Sequence, residues 1–254
     1  MNTWPLVRSI AVFVAVQARR FRRPGGRGPG RWLAGPAGRP RSHVVVAACL
    51  AALFLLAGAA AASTTPDELR FDVRLDDAPI GSQVFRIQQG GDQTRVSIEA
   101  SFDVKFLFVT AYTYRYRNEE VWKGDCLASM DSTTDDNGEP FRVRGTSEGE
   151  AFVVDAGKGR DTLPACTASF AYWRPDRLAA GRLLNSQTGE YEAVQLRELG
   201  VAKVAFRGRD VDARHVVLEG PRIRIELWYA VDGGDWLALE STTSSGRRLK
   251  YLRQ

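Results

Sequence analysis

The chain has 254 residues, 35 of them Lys or Arg and 30 Asp or Glu, for a net charge of +5. Nine arginines and no acidic residue precede residue 63, so the remainder holds 26 basic against 30 acidic residues and is mildly acidic. Dispersed charge of that sign excludes a nucleic-acid partner, which requires a basic face for the phosphate backbone.

Residues 1–43 form an extension rich in Arg, Gly and Pro around one short apolar run, Ile10 to Val16, a composition that builds no core. Arg19-Arg20 stands more than twenty residues ahead of the next apolar segment, too far for a twin-arginine export signal. A start codon assigned too far upstream explains the stretch more simply. With no Met between Met1 and Met130, a later start then uses a non-standard codon.

Residues 44–62 have the layout of a secretory leader. Arg39, Arg41 and His43 are its positive flank, Val44 to Leu56 its apolar core, and Ala60 and Ala62 satisfy the small-x-small cleavage rule. A retained anchor is the alternative, but Gly58 and the alanines end the run, and Asp67 and Glu68 stand where a basic stop-transfer flank belongs. Cys49 follows Val46-Ala47-Ala48 as in a lipoprotein box, yet at the front of the apolar core rather than behind it. The expected location is periplasmic or secreted after cleavage near Ala62, with no stable membrane span left.

Residues 63–254 read as a single all-β domain, an antiparallel meander curled into an open or partly closed barrel. Phe71, Val73 and Leu75 alternate with Asp72, Arg74 and Asp76, and Asp76-Asp77-Ala78-Pro79 and Gln89-Gly90-Gly91-Asp92 turn the chain. From Val96 to Phe108 the apolar residues share one parity, and no Gly, Pro or Asn interrupts residues 93–117. Either one long strand bends there, or the chain breaks near Asp103 without a turn signal. Later, Gly220-Pro221, Asp232-Gly233-Gly234-Asp235 and Ser244-Ser245-Gly246 separate short strands, and Ile223, Ile225, Leu227 and Tyr229 make one apolar face. Strands apolar on one side only must curl around their own core or be covered. Between about residues 164 and 185 the alternation fails, and a short helical or irregular insert is expected, with Asp176 to Ala180 as its helical turn. Its Phe170, Tyr172 and Trp173 suit either a plug over an open barrel end or a loop pinned by Cys166.

Cys126 and Cys166 are the two cysteines of the domain, and in an oxidising compartment they invite one bridge, worth roughly 3 to 4 kcal/mol by the chain-entropy model. Two buried free thiols are the alternative.

A distinctive set of local patterns runs through the domain. They are Phe102-Asp103-Val104-Lys105-Phe106-Leu107-Phe108, Glu120-x-Trp122 ahead of Cys126-Leu127, Thr134 to Gly138, Phe170-Ala171-Tyr172-Trp173, Leu184-Asn185-x-Gln187-Thr188-Gly189, Leu227-Trp228-Tyr229 and Gly246-Arg247-x-Leu249-x-Tyr251. Together they resemble a family of exported bacterial proteins catalogued as a domain of unknown function, the one numbered 6134. The resemblance covers almost the whole domain and implies an envelope location without supplying an activity or a catalytic residue. The arginine-rich extension departs from the family's pattern.

Chemistry is sparse. His215 is the only histidine of the domain, and no short-spaced ligand set for zinc accompanies it. No Gly-x-Ser-x-Gly elbow is present. Asp131, Asp135 and Asp136 lack the alternate spacing and distal Glu of a helix-loop-helix calcium site, and Asp136-Asn137-Gly138 reads as a hairpin turn. Gly157-Lys158-Gly159-Arg160 lacks the spacing of a phosphate loop. No cofactor is expected. Glu119, Glu120 and Glu226 are the carboxylates that glycan chemistry would use, provided that two are held at a defined separation; otherwise they are solvated strand-face charges.

The strongest pattern is aromatic. Phe106, Phe108, Tyr112, Tyr114 and Tyr116 share a parity, and Trp122, Tyr172 and Trp173 are expected to join them in a ligand-binding wall. An ordinary core filled by rings competes with that reading. Three functions follow. The first is a non-catalytic carrier for an apolar or amphipathic small molecule, with a largely apolar cavity under the insert. The second is a carboxylate-dependent envelope enzyme acting on glycans, and the third a scaffold that pairs through a sheet edge. Oligomeric state is not legible.

Overall fold

The computed structural model of the protein describes residues 66–106, 108–157, 159–243 and 245–254. The expected leader, the extension before it, Leu107, Lys158, Ser244 and the Phe106 side chain lie outside the described residues.

Turn chemistry sets where the strands end. Type I′ hairpins need positive φ at both central residues, and Asp76 (φ 50°) with Asp77 (φ 76°), then Asn137 (φ 54°) with Gly138 (φ 87°), supply it. The first meander is β1 (Asp67–Leu75), β2 (Ala78–Gly90), β3 (Gln93–Phe106), β4 (Val109–Lys123), β5 (Cys126–Asp136), β6 (Glu139–Glu148), β7 (Ala151–Asp155) and β8 (Arg160–Pro164). An insert then carries α1 (Pro175–Leu178) and a small hairpin, β9 (Arg182–Leu184) with β10 (Tyr191–Ala193). The second meander is β11 (Gln195–Phe206), β12 (Arg209–Glu219), β13 (Arg224–Ala230), β14 (Trp236–Thr242) and β15 (Arg248–Arg253).

β15 pairs antiparallel with β1, which joins the meanders into one 13-stranded sheet with β11 at one edge and β8 at the other. The sheet is antiparallel throughout and open rather than a closed barrel. Between Phe102 and Tyr112 the chain does break, but past Asp103, with β3 ending at Phe106 and β4 starting at Val109. The β3–β4 hairpin turns there without Gly, Asn or Pro, its strands held by 14 paired positions and one bulge between Val104 and Lys105. Register, not turn chemistry, holds that connection together.

One core cluster fills the inner face. It joins Phe71, Phe85, Phe102, Tyr112, Tyr114 and Trp122 of the first meander to Leu218, Leu227, Tyr229 and Trp236 of the second, and includes Ala168, Leu178, Leu183 and Leu184 of the insert. At Gly145 on β6 a Cβ atom would overlap the buried Phe152 ring, so the inner face needs glycine there. A second, smaller cluster lies elsewhere on the sheet, where Val204, Phe206, Val211 and Trp228 pack against Ala213, Ala230 and Leu237.

Three devices seat the insert. Cys126 at the start of β5 is disulfide-bonded to Cys166. Leu127 donates its backbone N–H to the Thr167 carbonyl at 2.9 Å. Arg174 pairs with Asp125 at 2.7 Å while its guanidinium lies 5.9 and 5.6 Å from the Trp122 and Trp173 ring centres. The insert is longer than expected, with its hairpin running on to Ala193, and the helical turn is the single turn Pro175–Leu178.

Candidate functional site

On β4 a two-residue period places Tyr112, Tyr114, Tyr116, Asn118, Glu120 and Trp122 on one buried face. The insert lies across this face and bonds to it by side chains. Tyr114 donates its hydroxyl to Gln187 Oε1 at 2.9 Å, and the Tyr116 hydroxyl lies 2.6 Å from Ser186 Oγ. Asn118 and Ser132 flank the Tyr116 hydroxyl, but Asn118 Oδ1, Ser132 Oγ and Thr134 Oγ1 are buried without a hydrogen-bond partner of ordinary length. Tyr172 sits 5.5 Å from Trp236 and accepts, at its carbonyl, the Tyr229 hydroxyl at 2.8 Å. Trp173 meets Trp122 edge to face at 6.0 Å.

Tyr112 is buried on the same strand face beside Asp136, and of the other rings expected in a ligand wall Tyr114, Tyr116, Trp122, Tyr172 and Trp173 gather at the interface of sheet and insert. Phe108 does not. It is fully exposed at the tip of the β3–β4 hairpin, because the chain turns before the parity of β3 can carry it inward.

Glu120 is buried and accepts hydrogen bonds from Asn118 Nδ2 (2.9 Å), Trp122 Nε1 (2.8 Å) and the Ser169 hydroxyl. Burial pushes its carboxyl above the ordinary value of 4.5, against the pull of those three donors. Glu192 is likewise raised by burial, and it accepts from Asn185 Nδ2 at 2.9 Å. Burial also raises Asp136 and the phenols of Tyr112, Tyr114 and Tyr116.

Two small cavities of about 60 Å³ each remain between sheet and insert, both bordered by Gln83, Tyr116, Tyr172, Gln187 and Ile225. Neither reaches the roughly 300 Å³ of a typical small-molecule pocket. The expected apolar cavity is thus a divided seam lined by rings, hydroxyls and amides.

The carboxylates named for glycan chemistry do not converge. Glu119 points to the outer face, where it accepts the Ser97 hydroxyl at 2.7 Å, whereas Glu120 is buried inside. Glu226 pairs with His215 at 2.8 Å and with Arg224 at 2.9 Å, and His215 stacks on Trp228 with ring centres 4.4 Å apart. Asp131 pairs with Arg142, Asp135 caps the Gly138 N–H and Asp136 turns inward. No group of three or more metal-ligating side chains occurs among the described residues, and no helix among them is long and apolar enough to cross a membrane.

One feature was missed from sequence. An open groove of about 850 Å³ crosses the outer face of β1 to β6, with Arg70, Arg86, Arg115, Arg117 and Arg142 on its surface. Its arginines are tied to acids of the same face, Arg86 to Glu99 at 3.3 Å and Arg115 to Asp103 at 2.7 Å, so the groove is a ladder of ion pairs. The outward parity of those arginines was the available signal.

The fold is similar to a solved structure from Brucella abortus, described as a beta-barrel-like protein of the domain of unknown function DUF1849, with a TM-score of 0.55 and 12% identity over 75% of this chain and 96% of that one. No curated protein matches the sequence. The family model described as Domain of unknown function (DUF6134) matches residues 71–254, and the chain belongs to that family.

Proposed function

We propose that the protein is exported, cleaved near Ala62, and acts as a non-catalytic binding module that holds a small amphipathic ligand between the inner face of the sheet and the insert. The observation that carries this reading is the coincidence of unfilled space with unsatisfied polarity. Tyr116 borders both cavities and Asn118 one of them, and there the buried Asn118 Oδ1 has no hydrogen bond of ordinary length. An unsatisfied buried acceptor or hydroxyl costs about 1 to 3 kcal/mol, which a ligand that bonds to it recovers. Rings on the same wall offer apolar contact.

A ligand larger than the cavities requires residues 185–190 to lift. Side-chain bonds from Tyr114 and Tyr116 and the exposed Arg222–Glu190 pair hold that segment down, each worth about 1 kcal/mol net or less. Displacement is therefore within reach of an ordinary binding energy.

Native mass spectrometry of the protein recovered from the periplasm, followed by solvent extraction, tests the proposal. A co-purified small molecule is expected, with lower occupancy in Tyr116→Phe. Empty protein in repeated preparations, with nothing extracted, overturns it.

A second reading has its own support. β11 is a 12-residue edge strand exposing Leu199 (40%) and Val201 (67%), a surface suited to strand addition by a partner. Loss of a co-purified protein on Val201→Lys, with the ligand assay negative, would favour that scaffold role.

A further inference from the structure

The polar groups of the seam between sheet and insert are short of donors and of positive charge. One of its two cavities is bordered by Asn118 and Glu120 of β4 and by Asn185 and Ser186 of the insert. Asn118 is 1% exposed and donates its Nδ2 to Glu120 Oε1 at 2.9 Å, which leaves the oxygen of the same amide without a hydrogen bond of ordinary length. An amide oxygen accepts only donors. Glu120 is 3% exposed, and its carboxyl meets three neutral donors, on Asn118, Trp122 and Ser169. Among the described residues no cation pairs with it, and Arg174, which lies over the Trp122 ring, is taken by Asp125 and Asp176. On the insert side Asn185 repeats the arrangement, donating its Nδ2 to the buried Glu192 at 2.9 Å. Arg222 acts on Glu192 from a distance but is bonded to Glu190 at 2.5 Å. No described Lys, Arg or His borders either cavity.

We propose, resting on the binding-module reading above, that the ligand of this seam is a primary alkylammonium. Its N–H groups donate to Asn118 Oδ1, its charge offsets Glu120, and its chain lies on Phe85, Ile98, Phe170 and Ile223 of the same cavity. An anionic head would bury its charge beside two buried carboxyls with no cation to receive it. Burial raises the Glu120 carboxyl because nothing charged opposes it, and an ammonium at the cavity is the group that would. The other common heads each lack a part: a hydroxyl supplies the donor without the charge, a trimethylammonium the charge without the donor, and a carboxylate neither.

Octylamine, 1-octanol, octyltrimethylammonium and octanoate share a chain and differ in the head, and calorimetric titration of the full chain with each ranks them. Octylamine should bind about tenfold more tightly than the alcohol or the quaternary ammonium, and octanoate most weakly. Glu120→Gln should narrow the gap between amine and alcohol to about threefold, and Asn118→Ala should do the same for the gap between amine and quaternary ammonium. Each variant is read on its own ratio, and the ranking in the parent needs neither. Alcohol, quaternary ammonium or carboxylate bound as tightly as the amine overturns the inference and leaves the carrier reading standing. An amine preference that survives undiminished in either variant also overturns it, since the amine then sits elsewhere, on exposed acids such as Asp135 or Glu139. So does a series in which nothing binds; the carrier reading falls with it only if the protein recovered from the periplasm is empty as well.

Discussion

On the inner face of β4 every second residue from Tyr112 to Trp122 is buried, and its polar groups bond to the insert, bond to one another through Glu120, or are left unsatisfied. On the outer face Arg115 and Arg117 stand half or more in water and pair with Asp103 and Glu99. The two faces share a backbone and similar polarity, yet their interactions differ in weight. Exposed ion pairs contribute little because water solvates the separated charges nearly as well. A buried donor or acceptor that loses its partner forfeits its hydration as well. Any selected chemistry is thus better supported under the insert than in the larger outer groove.

Removing the tether of the insert should have the largest effect on that contrast. The chain with Cys126→Ser and Cys166→Ser should lose roughly 3 to 4 kcal/mol in urea unfolding, and reductant should remove a similar amount from the parent but nothing from the variant. An unchanged midpoint would mean that the insert stays seated without its covalent link. Next comes Glu120→Ala, which strands the Asn118, Trp122 and Ser169 donors at a cost of about 3 kcal/mol, whereas Glu120→Gln keeps an acceptor and should cost less.

The same residue gives a pH signature. Its folded-state carboxyl titrates above the ordinary value of 4.5, so the native state binds the proton more tightly than the unfolded chain does. Its contribution to stability is full below 4.5 and is lost as pH rises from there to the folded-state value. Glu120→Gln should flatten that decline; equal slopes for parent and variant would show that Glu120 does not titrate differently on folding. Tyr116→Phe should cost about 1 kcal/mol through the lost Ser186 bond. On the outer face Arg115→Ala should cost below about 1 kcal/mol and less still in high salt, as thermal unfolding at two ionic strengths would show.

Much of the fold was legible because it rests on local rules. Alternation marked the strands, and Asp76-Asp77 and Asn137-Gly138 marked hairpins, because a tight turn needs residues that tolerate positive φ. The turn after Phe106 was not legible, since it relies on long-range register and uses none of the usual turn residues. That miss also misplaced Phe108, which parity assigned to the aromatic wall. The hairpin of β9 and β10 escaped for a related reason: each strand has three residues, too few for alternation to show.

At the candidate site the division is similar. The tyrosines of β4 and the rings of the insert were visible as a pattern, but their proximity depends on a chain that returns from residue 186 to residue 116.

By itself, the sequence determined an antiparallel β domain, its apolar faces and most of its turns, since each follows from neighbouring residues, and it narrowed any crosslink of the domain to Cys126 and Cys166. Tertiary structure alone decided that the sheet stays open, that the insert packs on its inner face to leave only small cavities, that Glu120 is closed over with Asn118 and Trp122 as its donors, and that an apolar fingertip is left exposed. Those outcomes depend on which distant surfaces meet, and burial, which sets the strength of each polar contact, exists only after they have met.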